Sequence, residues 1–219
     1  KEEKFFVTTT DLAIPKKYKQ KNASGYGINP YTKQELSDLY STCELSKDRS
    51  RLKVDLASQC GLRCEEVTNF PYSAVEDPTV SEKTIFYVEI LGKGDKFRII
   101  MVPRVLMMCL WQYINSDEYI LRLSKWQMDN GSCDGAFLFL NCSGKQMKAK
   151  SVGNIISSPR KELKLRGIEL KRGFHDLRPT YTTNLAVFML ENNLPIGFIR
   201  YKLSSLLGHT HFSTTQKYI

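Results

Sequence analysis

Tyr218 stands nine residues after His209 in the run Gly208-His209-Thr210-His211-Phe212-Ser213-Thr214-Thr215-Gln216-Lys217-Tyr218, which reads as a helix end followed by a final short helix. A tyrosine that only packs in a core needs no such neighbours. A phenol that attacks phosphorus needs a group to take its proton and cations to hold the charge that develops on the phosphoryl oxygens. Three upstream segments carry residues of those types: Gly61-Leu62-Arg63-Cys64-Glu65-Glu66, Lys93 between two glycines, and His175-Asp176-Leu177-Arg178.

Taken singly, each segment has an ordinary explanation. Arg63 can pair with Glu66 one helical turn away on a surface. A lysine in a Gly-Lys-Gly turn is usually solvated, and a lone tyrosine usually packs. His175 and Arg178 are three apart and share a face if both are helical. Asp176 is expected to cap their helix, with Pro179 in its first turn, where the missing N–H costs nothing. That places the pair at a helix N-terminus, whose free N–H groups favour a phosphate. Against this, a proline disfavours helical geometry in the residue before it, here Arg178. His209 follows Leu206-Leu207-Gly208, a helix ending in which glycine takes the left-handed position.

Together, in this order and spacing, the four segments resemble the catalytic domain of tyrosine recombinases, the phage-integrase family. Leu207-Gly208-His209 followed by Thr214-Thr215 and Tyr218 matches the family's terminal box, and the resemblance covers about residues 30 to 219. It implies that Tyr218 attacks a DNA phosphate, expels the 5′ hydroxyl and leaves a 3′-phosphotyrosyl bond. Arg63, Arg178 and His209 would hold the non-bridging oxygens, a task that suits a planar, permanently charged guanidinium. His175 would accept the phenol proton and Lys93 would protonate the leaving oxygen, with Lys96 as the nearby rival. Glu66 would orient Arg63 or its helix. No metal and no other cofactor is implied, because the arginines and the lysine supply the positive charge. The implied partner is double-stranded DNA, bound by a homotetramer on paired sites in a full-length protein and by a monomer of this fragment.

The function expected from this resemblance is that of a site-specific DNA recombinase, the integrase of a mobile element. Two other enzymes share the chemistry: a type IB topoisomerase and a chromosome-dimer-resolving recombinase. A DNA-binding module that has kept the fold without the chemistry is the non-enzymatic alternative. The tight spacing from His209 to Tyr218 favours the recombinase, and competent residues at every catalytic position speak against the binding module.

The elements that must position these residues are legible from local pattern. Residues 1–30 read as a basic linker or arm, and residues 31–219 as the catalytic domain. Thr32 followed by Glu35 marks a capped helix start. A helical region through Leu52, Val54, Leu56 and Ala57 runs to Gly61, and a second short helix is expected to carry Arg63, Glu66 and Val67. Two β-rich runs, 84–90 and 97–102, joined by a glycine-bearing loop, read as a hairpin ended by Pro103. Residues 104–127 return to helical spacing, a third short strand is expected at Ala136–Asn141, and helices at about 151–164, 176–191, 195–207 and 213–219. The fold class is α+β, mainly α-helical with a small antiparallel sheet.

Composition agrees with this assignment. The 219 residues are 42% hydrophobic, enough for a sizeable core, and 32 Lys plus Arg against 23 Asp plus Glu leave a formal charge of +9 that suits a polyanion. Candidate backbone contacts to DNA are Lys16, Lys17 and Lys19 in the arm, then Lys96, Lys148, Lys150 and Arg172. Six cysteines without a Cys-x-x-Cys pair, and only three histidines, do not form a zinc motif. They read as reduced thiols, hence a cytoplasmic, nucleoid-associated protein. No run of about 18 apolar residues suggests a membrane span. The chain opens on Lys1 and is expected to be a fragment of a longer protein.

Overall fold

A computed structural model describes residues 29–92, 94 and 96–207. Its first helix, α1 (Lys33–Tyr40), opens on a reciprocal cap: the Thr32 hydroxyl accepts from the Glu35 amide at 3.1 Å, and the Glu35 carboxylate accepts from the Thr32 amide at 2.8 Å. α2 (Asp48–Cys60) stops at Gly61, whose φ of +70° is the left-handed value that glycine adopts without penalty. Its two closing bonds run from Gly61 N–H to Ala57 O and from Leu62 N–H to Leu56 O. After the single extended step at Arg63 comes α3 (Cys64–Thr68). Arg63 therefore precedes its expected helix as the N-cap.

Strands β1 (Ile85–Leu91) and β2 (Phe97–Pro103) form a two-stranded antiparallel sheet. Alternation puts the pairs Phe86 with Val102, Val88 with Ile100 and Ile90 with Arg98 on the buried face, and leaves Tyr87, Phe97 and Ile99 exposed. The remaining helices are α4 (Arg104–Ile114), α5 (Asp117–Asn130), α6 (Ala149–Gly153), α7 (Ser157–Leu165), α8 (Leu177–Glu191) and α9 (Ile196–Leu207). The architecture is mainly α-helical with a small antiparallel sheet.

Three expectations are corrected. The helical spacing over 104–127 hides a break at Asn115 and Ser116, where Ser116 Oγ accepts from the Tyr119 amide and starts α5 with two acids in its first turn. Ala136–Asn141 is not a strand. It makes isolated bridges, Pro71 with Phe137 and Leu140 with Gln146, because Ala136, Leu138, Phe139 and Leu140 are all buried and leave no polar face for an alternating ladder. The stretch at 151–164 is two helices, α6 and α7, separated by a 3₁₀ turn at Asn154–Ile156. The expected helix at 213–219 lies outside the described residues.

α2 is the central element, buried along most of its length and packed against α3, α4, α8 and β2. One core cluster runs from Tyr31 to Leu177, and a smaller one, built on Ala186, Met189, Ile199 and Leu203, joins α8 to α9. The six cysteines are free thiols. No helix among the described residues is long and apolar enough to cross a membrane.

Lys53 is one of several buried charged residues, only 2% exposed with its Nζ 5.1 Å from the centre of the Phe139 ring. Burial, and then the charge of Arg49, pull its ammonium down to about 7 from the ordinary 10.5. Between those values the unfolded chain holds a proton that the folded chain has released, so stability rises with pH across that window. Lys53→Met, which keeps the stem and removes the charge, is expected to melt above the parent at pH 7 by a wider margin than at pH 10. Equal margins at the two pH values would show that Lys53 keeps its proton in the fold.

Candidate active site

The turn from α2 into α3 sets the geometry. Gly61 lies so close to α8 that a β-carbon there would stand 2.5 Å from Tyr181 Cδ1. This contact and its positive φ both require glycine. Its carbonyl consequently faces α8, where it accepts from Arg178 Nη1 at 2.6 Å and from Arg98 Nη2 at 3.3 Å. Two residues later Arg63 is extended, and the Glu66 carboxylate turns back to accept from its amide at 2.8 Å.

Glu66 is the hub. It is 1% exposed, and three guanidiniums converge on it. Arg98 meets both oxygens, Nη2 to Oε2 at 2.8 Å and Nε to Oε1 at 3.3 Å. Arg63 Nη1 lies 2.9 Å from Oε1, and Arg178 Nη1 lies 3.4 Å from Oε2. Burial alone would raise the Glu66 carboxyl, but the hydrogen bonds and charge of Arg98, the Arg63 amide and the charge of Arg178 outweigh it and hold it below the ordinary carboxylate value. Three positive groups against one negative leave two charges in excess. The cluster is therefore an ion-pair network with the excess positive charge that binding an anion requires.

Its members differ in access. The Arg63 side chain is 31% exposed, whereas those of Arg178 and Arg98 are 8% and 6%. Arg178 also donates from Nη2 to the Leu207 carbonyl at 2.5 Å, and Arg98 donates from Nη1 to the Leu206 carbonyl. The last two carbonyls of α9, which have no partner within the helix, are capped by these buried arginines. The described chain thus reaches the cluster at Leu207, two residues before His209 and eleven before Tyr218.

His175 sits in a 3₁₀ turn at Phe174–Asp176 that leads into α8. It is exposed, with Nε2 3.9 Å from the Cys64 thiol. The Asp176 carboxylate does not cap α8 as expected. It accepts from the Gly173 amide at 2.7 Å and closes the preceding turn instead. Arg178 is helical despite the following Pro179, anchored by its contacts to Gly61, Glu66 and Leu207.

The hairpin begins at the same place. Its loop is closed by a bond from the Gly92 amide to the Lys96 carbonyl at 2.8 Å, and a β-carbon on Gly92 would stand 3.4 Å from Glu66 Oε1. Lys96 is exposed at the foot of β2. Lys148 and Lys150 are exposed at the start of α6, which packs on α3 with Gly153 against the Cys64 thiol. Arg172 is partly buried, its Nε 3.4 Å from Glu35 Oε1. Lys16, Lys17, Lys19, Lys93, His209 and Tyr218 lie outside the described residues.

The structure thus joins Arg63, Glu66 and Arg178, three residues singled out from sequence, and adds two that were not, Arg98 and Cys64. Arg98 carried a signal: in β2 it falls in phase with the buried Ile100 and Val102, so strand alternation points a charge inward and demands a partner.

Glu66→Gln removes the charge that three guanidiniums share and is expected to destabilise the fold by roughly 3 kcal/mol or more. Because the Glu66 carboxyl is lowered in the fold, its stabilisation is present above the unfolded value of 4.5 and is lost as pH falls through its lower folded value. Thermal melts should show parent and variant far apart at pH 7 and converging below pH 4.5; a gap that stays constant would rule out a shifted carboxyl.

Comparison with known proteins bears on the family and the fold. The chain matches the phage integrase family model over residues 30–219. It is 33% identical over 132 residues to tyrosine recombinase XerD of Listeria innocua, covering 60% of this chain and 38% of that protein. With tyrosine recombinase XerC of Leptospira interrogans it shares 26% identity over 210 residues, covering 96% of this chain and 58% of the relative. The solved structure of XerA recombinase superposes with a TM-score of 0.60 at 26% identity, over 88% of this chain and 60% of that one. The chain therefore spans less than two thirds of the length of these relatives.

Proposed function

Since the chain belongs to the phage integrase family, we propose that it is the catalytic part of a site-specific DNA recombinase, the integrase of a mobile element, which breaks and rejoins strands through a 3′-phosphotyrosyl bond. The observation that carries this reading is the convergence of Arg63 and Arg178, from segments more than a hundred residues apart, on one buried carboxylate with positive charge in excess. A phosphodiester is the ligand such a receptor fits.

In the proposed reaction the Tyr218 oxygen attacks phosphorus in line, and its proton passes to His175. Arg63 meets one non-bridging oxygen from its exposed side, with Arg178 and His209 completing the hold on the charge that develops. The P–O5′ bond breaks as Lys93 protonates the leaving oxygen. The phosphotyrosyl ester conserves the energy of the broken diester, so a 5′ hydroxyl from a second duplex reverses the step without a nucleotide cofactor. Strand exchange follows.

Residues 31–219 form the catalytic domain, and residues 1–30 are a basic arm whose Lys16, Lys17 and Lys19 meet the DNA backbone together with Lys96, Lys148, Lys150 and Arg172. Lys148 and Lys150 suit this role because α6 carries them beside α3. Double-stranded DNA is the partner. The protein acts as a homotetramer on paired sites, residues 1–219 by themselves are a monomer, and the protein works in the nucleoid.

Incubation with nicked duplexes of varied sequence, followed by denaturation, should trap DNA covalently on the parent and not on Tyr218→Phe, with one sequence recurring among the trapped molecules. Trapping without sequence preference, together with relaxation of plasmids, would make the protein a topoisomerase; binding without trapping would leave a DNA-binding module. The general acid is identified by the leaving group. Lys93→Ala should slow cleavage about 100-fold or more on an ordinary phosphodiester. It should recover on a substrate whose 5′ bridging oxygen is replaced by sulfur, a thiolate that departs without a proton. Recovery of Lys96→Ala instead would transfer the role to Lys96.

A further inference from the structure

Neither the chemistry of the proposed reaction nor the family resemblance assigns a task to Arg98, yet its guanidinium meets both Glu66 oxygens, at 2.8 and 3.3 Å. Its side chain points inward from β2, opposite Ile90, and is 6% exposed. Its Nε, Nη1 and Nη2 all donate to acceptors of the protein itself. It touches three separate parts of the site: both oxygens of Glu66, the Gly61 carbonyl at the end of α2, and the Leu206 carbonyl at the end of α9.

The arrangement raises a question of charge. A buried carboxylate next to Arg63 and Arg178 would by itself draw both guanidiniums onto its oxygens and cancel the charge that a phosphate needs. With Arg98 engaging both oxygens through Nε and Nη2, the Arg63 guanidinium reaches the carboxylate through Nη1 alone and that of Arg178 at 3.4 Å. We propose that Arg98 is a positioning residue. It neutralises Glu66, so that the charges of Arg63 and Arg178 stay available to a phosphate, and it fixes, through Leu206, the end of α9 from which the chain runs on to His209 and Tyr218. Through β2 it ties the same unit to the hairpin loop that holds Lys93. The inference rests on the recombinase reading for its consequence, and on the geometry alone for the counter-ion role.

Two readouts test it. The first is the rate of covalent complex formation on a nicked duplex at saturating protein. Arg98→Met should slow it about 100-fold, as misplaced catalytic groups do, while binding on a native gel stays within a few-fold, because duplex affinity is spread over many phosphate contacts. Arg98→Lys, which keeps the charge and loses the fork, should fall between. The decisive variant is the double, Arg98→Met with Glu66→Gln. Removing the stranded carboxylate together with its counter-ion should restore at least about tenfold over Arg98→Met, a coupling that independent sites do not show. Additive losses, or an Arg98→Met rate equal to the parent's, would overturn the proposal.

The second readout needs no DNA. Without Arg98 the Glu66 carboxyl loses its principal hydrogen bonds, so the acid limb of thermal stability should move to higher pH in Arg98→Lys, the variant most certain to fold. An unmoved acid limb would overturn the counter-ion role whatever the activity. A moved limb in a protein whose parent traps no DNA would leave the ion pair standing and refute the recombinase reading instead.

Discussion

A buried carboxylate is tolerable only when its lost hydration is replaced, and at Glu66 the replacement comes from three guanidiniums and one backbone amide. These donors lie on three elements far apart in sequence: the turn between α2 and α3, strand β2, and the first turn of α8. Each element can satisfy its charge only if the others are in place. The requirement therefore acts as an assembly condition: β2, α3 and α8 must dock in one register or leave a charge stranded in a low-dielectric interior, at a cost of several kcal/mol. An apolar substitute of similar volume would pack the same space without that hazard. Under the proposed function, the polar cluster is consequently better explained by what it would do to an anion than by any stability it adds.

The ends of helices are used in the same way. α2 ends at Gly61, and its carbonyl accepts from Arg178 and Arg98; α9 ends at Leu206 and Leu207, whose carbonyls accept from Arg98 and Arg178. Two helix C-termini, each carrying partial negative charge, thus face the same pair of buried arginines. Capping and site construction are one set of contacts. The segment that continues to His209 and Tyr218 leaves from a point already tied to the cluster.

How much of this was legible in the sequence depended on range. The cap at Thr32 and Glu35, the stop at Gly61 and the hairpin all rest on residues within a few positions of one another, and they read correctly. The errors arose where tertiary burial overrode the local pattern. Ala136–Asn141 has strand-like composition, but burial on every side removed any ladder. Residues 104–127 keep a continuous apolar stripe across a break that Ser116 makes by capping α5. Asp176 was placed correctly as a cap and assigned to the wrong turn, because the 3₁₀ turn before α8 offered a nearer amide, that of Gly173. Arg63 and Arg178, which meet on Glu66, and His175, which lies beside Cys64, were singled out because their types and order matched a known chemistry. Arg98 belongs to no such motif. Only the phase of β2 betrayed it, and that phase acquires meaning once a buried acid is known to lie opposite.

The charge balance suggests why the site needs a buried layer and an accessible one. Arg63 is accessible enough to meet a ligand, while Arg178 and Arg98 are held behind it by carbonyls and by Glu66. A guanidinium fixed by several acceptors cannot relax toward an incoming phosphate, so its field is already aimed when the ligand arrives and little reorganisation is left for the reaction itself. The same fixation limits how much charge the acceptors may cancel. Three neutral carbonyls orient the two buried arginines at no cost in net charge, and Glu66, the one anion of the cluster among the described residues, is matched on both oxygens by Arg98. An arrangement of this kind separates the two demands on a phosphate-binding arginine, rigidity and undiminished charge, and assigns them to different partners.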